Sequence, residues 1–270
     1  MKPHPRYHYT LEDLSLYVFV LVDDWLKANE SRFRLPRQPR QVASYSELFT
    51  IALVGELLAQ PYESIWYWLV KNSYRELFPN LPEYSRYHRV VRNAEKLWAE
   101  LVIALAKRRP EATKLIDAKP LPVAKGKRAQ WAKCPEAEKG FSTMGMVFGF
   151  KLHALVNARG LFERWGFAPA NVAEVKVAPG LTEGLEGQLI AGDKAYLGHS
   201  DITTPKRKNM EGESRWNKTL SRLRKRIETS FSVLVRSLTL HAAQVKTCWS
   251  LRARVNLKLA AHNLIHSGLL

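Results

Sequence analysis

A chain of 270 residues, 46% hydrophobic and 25% charged, is ample to bury a core in one large domain or two small ones and has the composition of a soluble globular protein. Forty-two Lys and Arg against twenty-five Asp and Glu leave a formal net charge of +17, which draws a protein to polyanions, nucleic acid first. The two cysteines, Cys134 and Cys248, show no CxxC spacing, which argues against a zinc site and suits a reducing cytosol. The apolar run 16–22 stops at Asp23 and Asp24, short of the ~20 residues a membrane span needs, and reads as a buried helix.

Residues 1–112 read as helical. Thr10 is a plausible N-cap, with Asp13 in the first turn, for a helix to about Asn29. A Pro- and Arg-rich linker covers 33–40, and a second helix is expected from Ser44 or Ser46 to Gln60. Pro61 opens a third, whose bulky residues are Ile65, Trp66, Trp68 and Leu69. After Pro79 and Pro82, one long helix is expected over 83–108, ending at Pro110. Trp25, Trp66, Trp68 and Trp98 read as core of this region.

The texture changes near Ala112. Residues 114–118 look like a short strand and 119–140 like a polar, basic loop. A β-hairpin is expected over 144–156 and 160–167, turning at 157–160. Residues 172–177 fit a short helix or strand, 179–187 a loop, 188–193 a brief apolar strand ending in an acid, and 202–205 an edge strand that Pro205 would permit. A long helix is expected over 213–236, with Ile227, Phe231, Leu234 and Leu238 on one face, and the tail 241–266 is helical again. The order implies an α+β or mixed α/β second half, with domains at 1–112 and 113–270.

Three acids stand out. Asp117 ends the first strand of the second half, Asp193 ends a later strand after Gly192, and Glu228 lies inside a strongly basic helix. Acids at the carboxyl ends of neighbouring strands face one crevice, where α/β sheets place their sites. Carboxylates of this kind hold hard divalent cations, singly or as a pair ~3.5–4 Å apart. Each acid also has an ordinary reading: Asp117 as a turn former, Asp193 as the cap of a helix beginning at Lys194, Glu228 as the i,i+4 partner of Arg224.

Four motifs in this order, LIDAKP at 115–120, FGFKLH at 148–153, IAGDKAY at 190–196 and RIETSF at 226–231, together resemble the DDE transposase domain of bacterial insertion sequences. The 35 residues from Asp193 to Glu228 fit versions of that domain with no insertion before the Glu. The likeness covers about 112–240. It departs at Ser221, where a Tyr is expected, and at Val235, where relatives carry Lys or Arg, so one subgroup's full signature is absent. The resemblance implies a ribonuclease-H-like core, a mixed five-stranded sheet flanked by helices, preceded by an all-helical DNA-end-binding or dimerisation region. It implies Asp117 on the first strand, Asp193 on the fourth and Glu228 on the following helix, as catalytic residues holding two Mg²⁺ ions, with Mn²⁺ able to substitute. It further implies DNA cleavage and strand transfer on double-stranded DNA, both terminal inverted repeats and target, by a homodimer at the bacterial nucleoid in the cytoplasm, with no membrane partner.

Nine Lys or Arg occur over 206–226, leading into Glu228, and favour phosphate contacts. Arg222, Arg224, Lys225 and Arg226 are candidates, with Arg224 the choice for a clamp on the scissile phosphate. Lys194 and Tyr196 flank Asp193, and the loop with Lys125, Lys127, Arg128 and Trp131 suits unpaired DNA. Arg37, Arg40, Arg86, Arg89 and Arg92 are candidate phosphate contacts of the front helices. His153 reads as structural, and His262 with His266 lacks a third metal ligand. Two alternatives accompany the transposase reading: a metal-dependent nuclease of the same fold without strand transfer, and a catalytically silent DNA-binding relative.

Overall fold

A computed structural model describes residues 9–33, 35, 43–124, 133–142, 145–207, 209–210, 215–242 and 247–270. Thr10 caps α1 (Leu11–Ala28) through its side chain, and Ser44 caps α2 (Tyr45–Leu57) with a reciprocal bond from Glu47, a capping box. Helix α2 ends earlier than expected because Leu58 caps it and Ala59 turns to a positive φ of 58°. Next come α3 (Glu63–Ser73), α4 (Tyr84–Asn93) and α5 (Glu95–Lys107). The single helix expected over 83–108 is therefore two. Ala94 breaks it at ψ 15°, and the Trp98 indole donates to Val91 O at 3.0 Å beside the break. Trp66 and Trp98 are buried as expected, and Trp25 packs against the core from a half-buried position. Trp68 is a correction: it is 45% exposed, with the Lys71 ammonium over its ring.

Strand β1 (Lys114–Ala124) is longer than the sequence suggests and takes in much of the expected loop. After it come β2 (Glu138–Ser142), β3 (Gly145–Asn157), β4 (Phe162–Pro169), α6 (Glu174–Thr182), β5 (Ile190–Ala191), β6 (Ile202–Thr203), α7 (Lys218–Arg236) and α8 (Cys248–His266). Helix α7 starts later than expected, capped by the Asn217 side chain. Helix α6 runs through Pro179, so part of the expected loop is helix. Pro120 and Pro122 conceal the second half of β1 from a sequence reading. They are tolerated because β5 pairs only with Lys114 and Leu115, leaving that edge of β1 open where the prolines lie.

The sheet is mixed, with β1 between antiparallel β3 and parallel β5, and β6 parallel beyond β5. Strands β2 and β4 share the far side of β3. Among the described residues the sheet thus has six strands rather than five, the addition being β2, which begins in the expected loop, and Asp193 follows the fifth strand rather than the fourth. One face packs Leu115, Leu121, Leu152, Ala154 and Phe162 into a core shared with α1–α5, α7 and α8. The other packs Ile116, Leu155, Ile190 and Ile202 against Ala178 and Leu181 of α6. Among the described residues, no helix is long and apolar enough to cross a membrane.

Helix α8 is almost wholly buried although it carries Arg254, Asn256, Lys258, His262 and Asn263. Each buried charge has a partner: Glu56 of α2 takes both Arg254 and Lys258. His262 and His266 lie ring to ring at 4.5 Å in the same interior, consistent with packing rather than metal binding. Removing the carboxylate strands two buried cations. We expect Glu56→Gln to cost about 3–5 kcal/mol of unfolding free energy, read from urea midpoints. A loss under about 1 kcal/mol would show that the cluster is not a buried ion network.

Candidate active site

The register of β1 and β5 sets the site. Lys114 pairs with Ile190 and Leu115 with Ala191, so two further residues bring Asp117 level with Asp193. Alternation along the strands puts Asp117 on the face of Leu115 and Asp193 on that of Ala191, both turned toward the core shared with α7. Gly192 is needed between them. A Cβ there would lie 2.8 Å from Ile202 and 3.0 Å from Ile116 and Tyr196. Each aspartate uses Oδ1 to accept a backbone amide, from Ala118 and Ala195 respectively, both at 2.8 Å. These bonds orient the carboxylates. Asp193 is thereby also the N-cap of a short 3-10 turn at Lys194–Tyr196, so its ordinary reading holds alongside any functional one.

Glu228 comes from α7, whose Leu220, Ile227, Phe231 and Leu234 are buried against the sheet and α8. The Ser230 hydroxyl donates to Gly160 O at 2.8 Å, fixing α7 to the β3–β4 turn two residues beyond Glu228. Gly160 sits at φ +86°, and a Cβ there would meet Ser230 Oγ at 2.6 Å, so the joint requires glycine. This joint was not foreseen from the sequence, where Ser230 is only a small residue inside a motif. Arg224, one turn before Glu228, donates to its carboxylate, and its Nη1 lies 3.9 Å from Asp117 Oδ2.

Burial pushes the Asp117 carboxyl up to about 6, with Asp193 and Glu228 adding to the rise and Ala118 N–H and Arg224 opposing it. Three carboxylates thus act on one another around a single guanidinium, leaving local negative charge inside a strongly basic chain. An oxygen-only donor set with excess negative charge suits a hard divalent cation. Among the described residues, no three His, Cys, Asp or Glu side chains are gathered into a ready ligand cage. Arg224 holds Glu228 instead, and the Glu228 side chain is 49% exposed.

Arg222, Lys225 and Arg226 are exposed along α7, and Lys194 is exposed beside Asp193. Lys125, Lys127, Arg128 and Trp131 lie outside the described residues, as do Arg37 and Arg40. Tyr196 is a correction: it is fully buried on the opposite sheet face with Ile116 and α6, because the 3-10 turn carries the chain back beneath the strands. His153 is buried on that same face, paired across from Ala118, and burial pulls it down to about 4, so it is a neutral interior side chain. Arg92 is a second correction. It is 2% exposed and ion-paired with Glu63, so it does not reach a DNA groove.

The family model described as the transposase DDE domain matches residues 107–246, just over half of the chain. No curated protein and no solved structure matches it.

The raised Asp117 has a sign. A carboxyl whose folded value lies above its unfolded value favours folding only while protonated, so its penalty appears as pH rises from about 4 to about 6. In chelator-treated protein, Asp117→Asn should remove that loss and raise stability at pH 8 by up to about 3 kcal/mol, with little change at pH 4. Equal melting shifts at both pH values would refute the origin in charge burial.

Proposed function

Because the chain belongs to the transposase DDE domain family, we propose that it is a DNA transposase whose strand cleavage and strand transfer are carried by Asp117, Asp193 and Glu228. The observation that supports this reading is that Asp117 lies level with Asp193 across β1 and β5, on the face that α7 covers, with Arg224 of α7 paired to both Asp117 and Glu228. We read the sheet as a ribonuclease-H-like core extended by β2, residues 113–270 as the catalytic domain, and residues 1–112 as the region that holds element ends or a second copy. Exposed Arg89 on α4 is the described side chain of that region best placed for phosphate.

Asp117, Asp193 and Glu228 would hold the divalent cations, Mg²⁺ or Mn²⁺, which when bound supply charge neutralisation at the scissile phosphate and lower the pKa of the attacking water or 3′ hydroxyl. The protein's own part is positional. Amide bonds to Oδ1 hold the two aspartates in one orientation, and the Ser230–Gly160 joint keeps α7 against the sheet. Arg224 neutralises Asp117 and Glu228 in this state. Its guanidinium becomes available to a phosphate oxygen once those carboxylates are otherwise engaged. Arg222, Lys225 and Arg226 extend the positive surface along the duplex. No covalent protein–DNA intermediate is required, so one site serves both hydrolysis and joining at inverted-repeat ends and target DNA.

The test is incubation with labelled duplex carrying the element's ends and Mg²⁺, scoring cut and joined products separately. Asp117→Asn, Asp193→Asn and Glu228→Gln should each lower cleavage by about a thousandfold or more while DNA affinity persists or rises. Arg224→Ala should weaken both binding and rate. A folded Glu228→Gln protein that cuts at near wild-type rate defeats the assignment. Cut ends without joined products would instead favour a nuclease.

A further inference from the structure

A second site lies between the front helices and the start of α8. It is a cavity of about 410 Å³, within the ~300–1,000 Å³ range of small-ligand sites, and it shares no residue with the carboxylate cluster. Its walls are aromatic: Tyr62 and Trp249 are 49% and 39% exposed, and Tyr84 and His88 are half-buried beside them. The His88 and Trp249 rings meet edge to face at 6.3 Å.

Its deep side is charged. Arg92 donates through Nη2 to Glu63, but its Nε and Nη1 and the Glu63 Oε1 have no hydrogen-bond partner. Arg254 Nη1 lies 3.5 Å from Glu63 Oε2. Behind it, the connected network sets three cations, Arg92, Arg254 and Lys258, against two carboxylates, Glu56 and Glu63. Among the described residues this cluster has one cation in excess and two unpartnered donors on Arg92, which favour an anion there, against one unpartnered acceptor, Glu63 Oε1. Two helix N-termini line the cavity: that of α8, whose Thr247 side chain accepts from Ser250 N, and that of α3, whose first turn carries Glu63 and whose N-cap Tyr62 makes no side-chain capping bond.

We propose that this cavity binds one unpaired nucleotide of DNA, its base stacked on Tyr62 and Trp249 and its phosphate drawn toward Arg92 and the helix N-termini. Stacking surfaces beside positive charge are the pairing that single-stranded nucleic acid requires. A duplex does not enter a pocket of this size, so the nucleotide is one whose base has left its partner. The Lys133–Thr247 β-bridge ties the start of α8, at the cavity wall, to the chain just before β2. The proposal rests on the reading of this protein as DNA-processing, but not on its carboxylates.

The experiment uses the full chain in chelator, with 5′-labelled single-stranded hexathymidine followed by fluorescence anisotropy, and a hexamer of abasic deoxyribose phosphates as the probe with equal charge and no bases. Wild-type protein should bind hexathymidine about tenfold more tightly than the abasic strand. The Tyr62→Leu/Trp249→Leu double variant, shown folded by its thermal melt, should bind both at the abasic level. Irradiating a hexamer carrying 5-iododeoxyuridine should crosslink peptides containing Tyr62 or Trp249. Equal binding of both strands by wild type, unchanged affinity in the double variant, or crosslinks confined to other peptides each overturn the proposal. Binding is read in chelator, without turnover, so a failure of Mg²⁺-dependent cutting alone strikes the catalytic reading and leaves this one standing.

Discussion

Helix α8 is the constraint on which the rest is hung. A helix buried all round is ordinarily apolar all round, but this one carries polar side chains into the interior, and its buried Arg, Lys and Asn side chains find partners on other elements. Arg254 and Lys258 meet Glu56 on α2, Asn256 donates to Glu95 O and accepts from the Trp165 indole on β4, and Asn263 donates to Val102 O on α5 and Phe162 O on β4. Each bond is satisfied in only one arrangement of helices and sheet. Apolar burial supplies the driving force, but it is indifferent to small slips. The polar contacts are not, because a misplaced buried charge or amide costs several kcal/mol. The front helices, the sheet and α7 are consequently packed around one spine.

From that spine the active-site face follows. Helix α7 touches α8 on one side and β1 on the other, and the contact of Phe231 with Phe162 puts its midpoint over the sheet. Glu228 is then carried over the sheet by this packing, and Arg224 pairs it toward Asp117. Burial is the main reason the Asp117 carboxyl is raised, the neighbouring Asp193 and Glu228 add to it, and Arg224 offsets part of the rise. A site made this way is held open by its scaffold rather than collapsed by its own attractions. It retains a negative charge for a cation to neutralise.

The sequence made the three acids legible because their motifs are local: Gly192 before Asp193, Ile227 before Glu228, a strand before Asp117. Helix starts at Thr10 and Ser44 were legible for the same reason, since caps act within one turn. What could not be read depends on distant partners. The second half of β1 looked like loop because its prolines are permitted only by the shortness of β5 across the sheet. Arg92 looked like a surface cation, and only Glu63 on another helix explains its burial. Arg254, Lys258 and Asn263 resemble the polar face of a surface helix until their partners, more than a hundred residues away, are known. Trp68, read as core, is exposed because the neighbouring Trp66 and Tyr67 already fill the buried face of α3.

The same buried network that joins α2 to α8 also charges the second cavity. Glu56 is shared by Arg254 and Lys258, and Glu63 by Arg92 and Arg254, so among the described residues this network sets three cations against two carboxylates. An interior built only for stability would balance its charges or replace them with apolar groups, which is often the more stable choice. Here the excess lies beside a cavity whose aromatic walls are partly exposed. In a chain of net charge +17, surface positive charge is abundant and attracts DNA without discrimination. A buried arginine with unpartnered donors behind a stacking platform is different in kind, because only a ligand that sheds its water and fits between the rings can reach it.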